Sequence, residues 1–499
     1  MTFWFLLLLG LFTYLLVQRS VAGITRTPVW LLWLVLMTPA LIWSAWTAKY
    51  GPSQPMPTAL AVGPFVICPV VYWLLIQWGR RNLNPPAFRQ TQSPAPESKP
   101  PVGVTPEPES SPLRPIDQSE ETQVRNCFPW SVYYIHNIEY RPQAVICRGQ
   151  LRTTPAVAYQ RIRENIEAQF GDRFLVLFQE GLHGKPFFAL VPNPQARLAA
   201  SPSREPLTRP GLALVLLVAT LFTTTIIGVA IAGASIPPLA ELVSHPALLL
   251  QGLPYALALM TILGIHELGH YLTARFYKIR STLPYFIPVP FFLGTFGAFI
   301  QMRSPVPNRK ALFDVSIAGP LAGFVVTLPL LIWGLAHSTV VPMPAQPGIL
   351  NPNALNPNYS LLVALLSKLA LGQRLTANSA IDLHPVAVAG FLGLVVTALN
   401  LMPVGQLDGG HIVHAMFGQR TGAAIGQIAR LLLLGLSLVQ SGFLLWAIIL
   451  FFMPIVDEPA LNDVTELDNG RDIWGLLALG LLVVIILPAP KVLSQLLHI

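Results

Sequence analysis

The sequence predicts an all-α polytopic membrane protein of about nine transmembrane helices, with a re-entrant β-hairpin in its membrane domain and a small α+β soluble domain. Three observations predict it. Of 499 residues, 53% are hydrophobic and 11% charged, and mean hydropathy is +0.56. Soluble domains seldom reach such values, whereas apolar runs of about twenty residues produce them directly. Nine such runs lie near 1–17, 28–47, 57–78, 210–234, 247–276, 314–337, 384–402, 426–453 and 473–488. Between the third and fourth, the pattern switches to short alternating and amphipathic stretches.

The first run, "MTFWFLLLLGLFTYLLV", lacks the basic start and small-residue cleavage site of a secretory signal, so it reads as a membrane helix. With the next two runs it makes an N-terminal three-helix segment, 1–83. Residues 84–124 carry ten prolines among Ser, Glu, Gln and Thr. That composition buries no core and reads as a Pro-rich disordered linker. In 125–204, "WSVYYIHNIEY", "AVICRGQLR", "RFLVLFQE" and "PFFALVPNP" read as strands, and "PAVAYQRIRENIEAQFG" as an amphipathic helix. This small α+β soluble domain shows no nucleophile–base set, so binding or regulation is its expected work. His136 and His183 read as surface or turn histidines. Residues 205–499 form the membrane domain.

The net charge of +8 is not gathered into a basic tract interleaved with aromatics, which argues against nucleic-acid binding. Lys and Arg instead flank the apolar runs, as a lipid bilayer partner requires. Placing the Arg-rich connections inside makes the N-terminus external. The soluble domain, "ARFYKIRS", "RSPVPNRK" and "FGQRTG" are then cytoplasmic. "PPLAELVSHP", the 339–360 loop and the acidic "DEPALNDVTELDNGRD" (457–472) fall outside. Three cysteines, Cys68, Cys127 and Cys147, make no disulfide framework and read as free structural thiols.

The fifth run ends in "GIHELGHYLTARF", 264–276. Ionisable groups at membrane depth cost roughly 2.5 kcal/mol or more each on insertion scales, so they mark function. His266 and His270, four apart, project from one helix face, a spacing at which two imidazoles meet one tetrahedral zinc ion. Glu267 sits about 100° round the helix, able to reach a water as general base without being a ligand. The third ligand must come from elsewhere. In "TALNLMPVGQLDGGHI", 397–412, an apolar run breaks at Pro403 and Gly405, and irregular backbone at this depth belongs in a cavity. Asp408 is the candidate ligand there, with a helix N-cap as its compatible alternative. His411 and His414 are rival ligands by residue type, read here as packing or hydrogen-bonding residues. His337 and His384 read as interfacial.

The prolines of "PYFIPVPFFLGTFGAFIQM", 284–302, forbid a regular helix, and "TFGAFIQM" alternates like a strand. A hairpin dipping towards the site follows, with Gly294 and Gly297 admitting a substrate backbone by edge-strand addition. A plain hairpin without substrate contact is the alternative. In "FDVSIAGPLAGF", Asp314 is the expected helix cap, and Ala318, Gly319, Ala322 and Gly323 form a small face for close packing.

"HELGH" followed by "LNLMPVGQLDGGH" resembles the site-2 protease family of intramembrane zinc metalloproteases. "GTFGAFI" (294–300) and "NRKALFDVSIAGPLAGF" (308–324) are similar to the stretches that family places between its ligand helices, and the likeness covers roughly 205–490. The soluble domain and acidic C-terminal loop resemble the cyanobacterial and chloroplast EGY-like branch, whose "GNLR" signature reads here Gly149-Gln150-Leu151-Arg152. The resemblance implies a zinc metalloendopeptidase with one Zn2+ per chain, acting on membrane-anchored protein substrates such as an anti-sigma factor. It implies a cyanobacterial plasma or thylakoid membrane. It also points to Asn400 as an oxyanion or substrate residue, with capping of broken backbone as the alternative. A polytopic transporter, or an inactive membrane scaffold or chaperone, remains the rival class; zinc stoichiometry and peptide cleavage discriminate.

Overall fold

The computed structural model describes residues 27–51, scattered positions within 10–18 and 57–78, and residues 116, 118–141, 144–181, 184–194, 196, 209–233, 246–289, 293–343, 354–377, 379–439 and 443–497. Most of the expected linker and His183 lie outside the described residues. The chain divides into two compact units, Met1–Glu107 and Pro108–Ile499.

In the first unit, α1 (Val29–Tyr50) is apolar almost throughout. Thr27 Oγ1 donates to the Leu75 carbonyl at 2.7 Å, and Trp33 Nε1 donates to the Gly10 carbonyl at 2.8 Å. The three N-terminal runs therefore meet through polar bonds to backbone, a means of association available to helices in lipid.

The second unit begins with a four-stranded α+β fold where the sequence predicts the soluble domain. After α2 (Gln118–Asn126), strands β1 (Tyr133–Arg141), β2 (Ala144–Leu151), β3 (Phe174–Glu180) and β4 (Pro186–Pro192) form an antiparallel sheet in the order β1-β2-β4-β3. α3 (Pro155–Phe170) buries Ala158, Tyr159, Ile162 and Ile166, spaced as one helix face. Phe178 and Phe188 stack at 4.1 Å in the same core. Ile116 and Val124 are buried there too. Two apolar residues near the end of the expected linker thus belong to this core. Cys127 and Cys147 are buried and free, as expected. A Cβ at Gly149 would lie 2.0 Å from the Tyr134 carbonyl, so only glycine fits that point of the β1–β2 pair.

Next come α4 (Pro210–Ile231), α5 (Leu249–Phe276), β5 (Tyr285–Pro288), β6 (Thr295–Phe299) and α6 (Arg309–Ala336). They are followed by β7 (Thr339–Pro342), α7 (Leu361–Leu371), β8 (Ser379–Asp382), α8 (Pro385–Leu401) and α9 (Asp408–Phe417). The chain ends with α10 (Gln419–Val439), α11 (Leu444–Phe452), α12 (Asn469–Ile486) and α13 (Lys491–Leu497). Among the described residues, five helices are long and apolar enough to cross a membrane: α1, α4, α5, α6 and α12. α4 is built inside out. Leu214, Val215 and Val218 are exposed, while Thr220, Thr224 and Thr225 are buried. Each buried hydroxyl bonds the carbonyl four residues back, so no donor is stranded in the apolar interior. Gly228 and Gly252 let α4 and α5 cross in backbone contact. The helix cap of α6 is Asn308, whose Oδ1 accepts from the Ala311 N–H at 2.8 Å. Asp314, expected to cap, lies in the second turn. It accepts from Arg471 Nε and Nη2 at 2.8 and 2.6 Å and from the Tyr277 hydroxyl at 2.5 Å.

Two topological expectations are corrected. The apolar run 426–453 is not one crossing: α11 returns alongside α10, and Arg430 Nη2 donates to the Met453 and Pro454 carbonyls. "QSG" at 440–442 interrupts the run with polar residues and a glycine. The acidic segment 457–468 packs against the four-stranded domain, whereas the sequence placed the two on opposite sides. The Phe178 N–H donates to Leu461 O at 2.7 Å, and Gln419 Nε2 donates to Asp457 O at 2.8 Å. Acidic residues weigh little in membrane sidedness, so nothing in the charge pattern bars them from the Arg-rich face.

Candidate active site

The site forms where α5, α6, α8 and α9 meet. α5 presents His266 and His270 one turn apart, with their ring centroids 4.9 Å apart. His266, Glu267 and His270 are 3%, 8% and 7% exposed. A helix carrying three buried ionisable groups needs a neighbour that approaches closely without competing for space. α6 is that neighbour, through the small face expected from the sequence. A Cβ at Gly269 would meet the Ala318 carbonyl at 2.7 Å, one at Gly323 would meet His266 Cβ at 3.2 Å, and one at Gly319 would lie 2.1 Å from His270 Nε2.

The imidazole atoms converge. His266 Nε2 and His270 Nε2 are 3.2 Å apart, and Asp408 Oδ2 lies 3.8 Å from the first and 3.3 Å from the second. These atoms form a group able to hold a metal ion. A tetrahedral zinc with bonds of about 2.0–2.1 Å spaces its ligand atoms about 3.3 Å apart, so the donor set fits the ion. The tautomer fits as well. His270 Nδ1 donates to the Val315 carbonyl at 2.8 Å, which leaves the Nε2 lone pair directed at the shared point.

Asp408 reaches this point because α8 ends at Leu401 and the chain turns through Pro403 and Gly405, which has φ +53°. Gly405 lies against the Pro454 carbonyl, and Gly409 against those of Leu401 and Met402. Asp408 is the first residue of α9, with Leu407 in the cap position and no side-chain cap bond. The N-cap alternative is therefore not observed; the carboxylate turns to the histidines instead. Asn400, near the end of α8, brings its side-chain amide within 3.0 Å of His266 Nε2.

The other predicted residues separate. Gly297 has φ +103°, and a Cβ there would meet no atom within 4 Å. It sits in the irregular stretch of the β5–β6 hairpin, where its N–H donates to Thr295 Oγ1 at 2.9 Å. Gly294 is corrected: the close approach it permits is taken by α4. A Cβ there would lie 2.6 Å from Thr224 Cα, and Thr223 Oγ1 donates to its carbonyl at 2.7 Å. His411 and His414 stay outside the ligand group: His414 hydrogen-bonds Asp457 and Asp463, in keeping with its hydrogen-bonding reading, while His411 Nδ1 lies 2.8 Å from Asp457 Oδ2. Trp333 stacks on His337 at 4.1 Å and meets His384 edge-on where α6 and α8 approach.

Two contributions had no visible signal in the sequence. The Val315 carbonyl, which accepts from His270, is a backbone group. The contact of Gly319 with His270 was foreseeable only as generic small-residue packing.

Residues 254–440 match Peptidase family M50, and residues 122–198 match the EGY3 middle domain. Among curated relatives, the Arabidopsis thaliana protein named "Probable zinc metalloprotease EGY2, chloroplastic" is 31% identical over 369 residues, covering 73% of this chain and 63% of its own. "Probable zinc metalloprotease EGY1, chloroplastic" of Oryza sativa subsp. japonica is 30% identical over 372 residues, covering 69% and 63%. The chain spans just under two thirds of the length of these relatives. No solved structure matches. With its paired histidines, buried glutamate and distant aspartate all inside it, the matched stretch is a peptidase family M50 domain, of the site-2 protease type.

Proposed function

We propose that the protein is an intramembrane zinc metalloendopeptidase hydrolysing peptide bonds within or near transmembrane segments of membrane-anchored proteins. The observation that carries this reading is the convergence of His266 Nε2, His270 Nε2 and Asp408 Oδ2 beside Glu267. These three residues hold one Zn2+, and when bound it supplies Lewis acidity towards water and a peptide carbonyl. Glu267 takes the proton of the attacking water and delivers it to the leaving amine. Asn400 is close enough to the same point to donate its amide to the developing oxyanion.

The β5–β6 hairpin is the substrate guide in this reading, re-entrant from the soluble-domain face. Phe296 and Phe299 are exposed on β6, and Gly297 is open. An extended substrate segment adds along β6, its backbone bonds giving affinity without requiring one sequence. The substrate class is a membrane-anchored regulator of the anti-sigma-factor kind, in a cyanobacterial plasma or thylakoid membrane. The domain reading is a three-helix segment to 83, a linker, a soluble domain to 204 and the protease domain beyond. With α10 and α11 folded back, eight crossings result instead of nine, both termini are external, and the soluble domain is cytoplasmic.

Purified full-length protein with one equivalent of zinc should cleave a tagged transmembrane test substrate. Glu267→Gln should keep the zinc and lose cleavage. Zinc binding without any cleavage by the wild type, across a panel of single-pass substrates, would favour the transporter or scaffold class.

A further inference from the structure

A second buried ionic cluster lies outside the metal site. His414 stands six residues after Asp408 on α9. Its Nδ1 is 2.6 Å from Asp457 Oδ2, and its Nε2 is 2.9 Å from Asp463 Oδ1. All three residues are buried. A neutral imidazole has a single donor, so contact with two carboxylates calls for the doubly protonated ring, a cation held between two anions. His411 Nδ1 also lies 2.8 Å from Asp457 Oδ2. From α6, the buried Arg309 donates through Nε to the Ala415 carbonyl at 2.8 Å, and its charge faces Asp463, Glu466, Glu180 and Asp472.

Both carboxylates belong to the 457–468 segment, and its opposite side is bonded to the soluble domain. Phe178 N–H donates to Leu461 O at 2.7 Å, and Asp463 N–H donates to Phe178 O at 2.9 Å. Leu461 and Val464 pack against the soluble core. One short strap therefore grips the soluble domain with its backbone and the Asp408 helix with its side chains.

We propose that His414 is a positioning residue that clamps the Asp408 helix to this strap, so that the soluble domain sets how firmly the third metal ligand is held. A protein that displaces the strap from β3 would then loosen Asp408 and lower metal affinity. The regulatory consequence rests on the zinc reading above; the mechanical coupling does not.

The test uses full-length protein in detergent micelles and three variants: Asp463→Asn, Asp457→Asn and His414→Gln. Zinc affinity is read by chelator competition, and backbone opening by amide hydrogen exchange. The clamp predicts zinc binding weaker by about tenfold, in the range seen for partners of metal ligands, together with faster exchange in both 174–180 and 408–417. Faster exchange confined to 457–464, with zinc affinity and 408–417 unchanged, would overturn it. Should one variant fail to fold, the other two decide. If the wild type binds no zinc, the metalloprotease reading falls, and exchange of 408–417 still decides the clamp.

Discussion

His270 donates its Nδ1 proton to the Val315 carbonyl across 2.8 Å, from α5 to α6. That bond determines which ring nitrogen carries the lone pair, so a helix that contributes no ligand still sets the chemistry of one. It exists only because α6 approaches along Gly319 and Gly323.

Gly319→Ala should therefore act on the metal site and not merely on packing. Its methyl carbon would lie 2.1 Å from His270 Nε2, inside any contact distance. Zinc affinity should fall on the order of tenfold or more, with the fold retained by circular dichroism. Metal content after dialysis against a chelator checks this.

Asn400→Ala should separate catalysis from binding. If the amide meets the oxyanion, kcat falls by about a hundredfold while KM and zinc content hold, the magnitude usual for one lost oxyanion donor. Loss of zinc with unchanged kcat in the zinc-loaded fraction would identify Asn400 as a support for His266.

Gly297→Val should slow cleavage of a transmembrane substrate several-fold by blocking approach along β6 and straining a residue held at φ +103°. Gly294→Val, which drives a side chain into α4, should instead lower stability. Comparing Tm and initial rates for the two variants checks the assignment.

The strap should respond to pH. Burial favours the neutral imidazole of His414, yet the hydrogen bonds it donates to Asp457 and Asp463 prevail and raise its pKa to about 9. α9, at ten residues, is too short to span a bilayer. A raised folded-state pKa means that the stabilisation is complete below about pH 6.5 and lost as pH climbs through about 9. Asp457 works at the other end: burial opposes its charge, but bonds from His411 and His414 hold its pKa down to about 2. Its contribution is present above the ordinary carboxylate range and lost as pH falls through about 2. The Tm gap between wild type and His414→Gln should be widest between pH 5 and 6.5 and should close by about pH 10.

The soluble-domain thiols should be inert in the native protein. Burial pushes Cys147 up to about 12 and also raises Cys127, so neither forms thiolate near neutrality. A maleimide reagent at pH 7.5 should label Cys127 and Cys147 only after denaturation.

The ligand residues were legible because their spacing carries chemistry: His266 and His270 share a face by helical geometry, and Asp408 follows a break that membrane depth tolerates only in a cavity. The strands of the soluble domain were legible from alternation in "RFLVLFQE" and "PFFALVPNP". What escaped was long-range. Hydropathy along 426–453 reads as one span because a sliding average does not register that α11 packs back beside α10. Asp314 looked like a cap because its actual partner, Arg471, lies 157 residues away. Gly294 looked open because nothing local announces that Thr223 and Thr224 lie against it.

The bond between Phe178 and the 461–463 backbone also bears on how the soluble domain survives. β3 is a terminal strand of its four-stranded sheet, and an uncovered rim of that kind invites pairing with a neighbouring molecule. Leu461 and Asp463 cover it from the far end of the chain. Residues 125–200 produced alone would bare that rim and tend to self-associate, and a covalently attached copy of 457–464 should restore a monodisperse fragment.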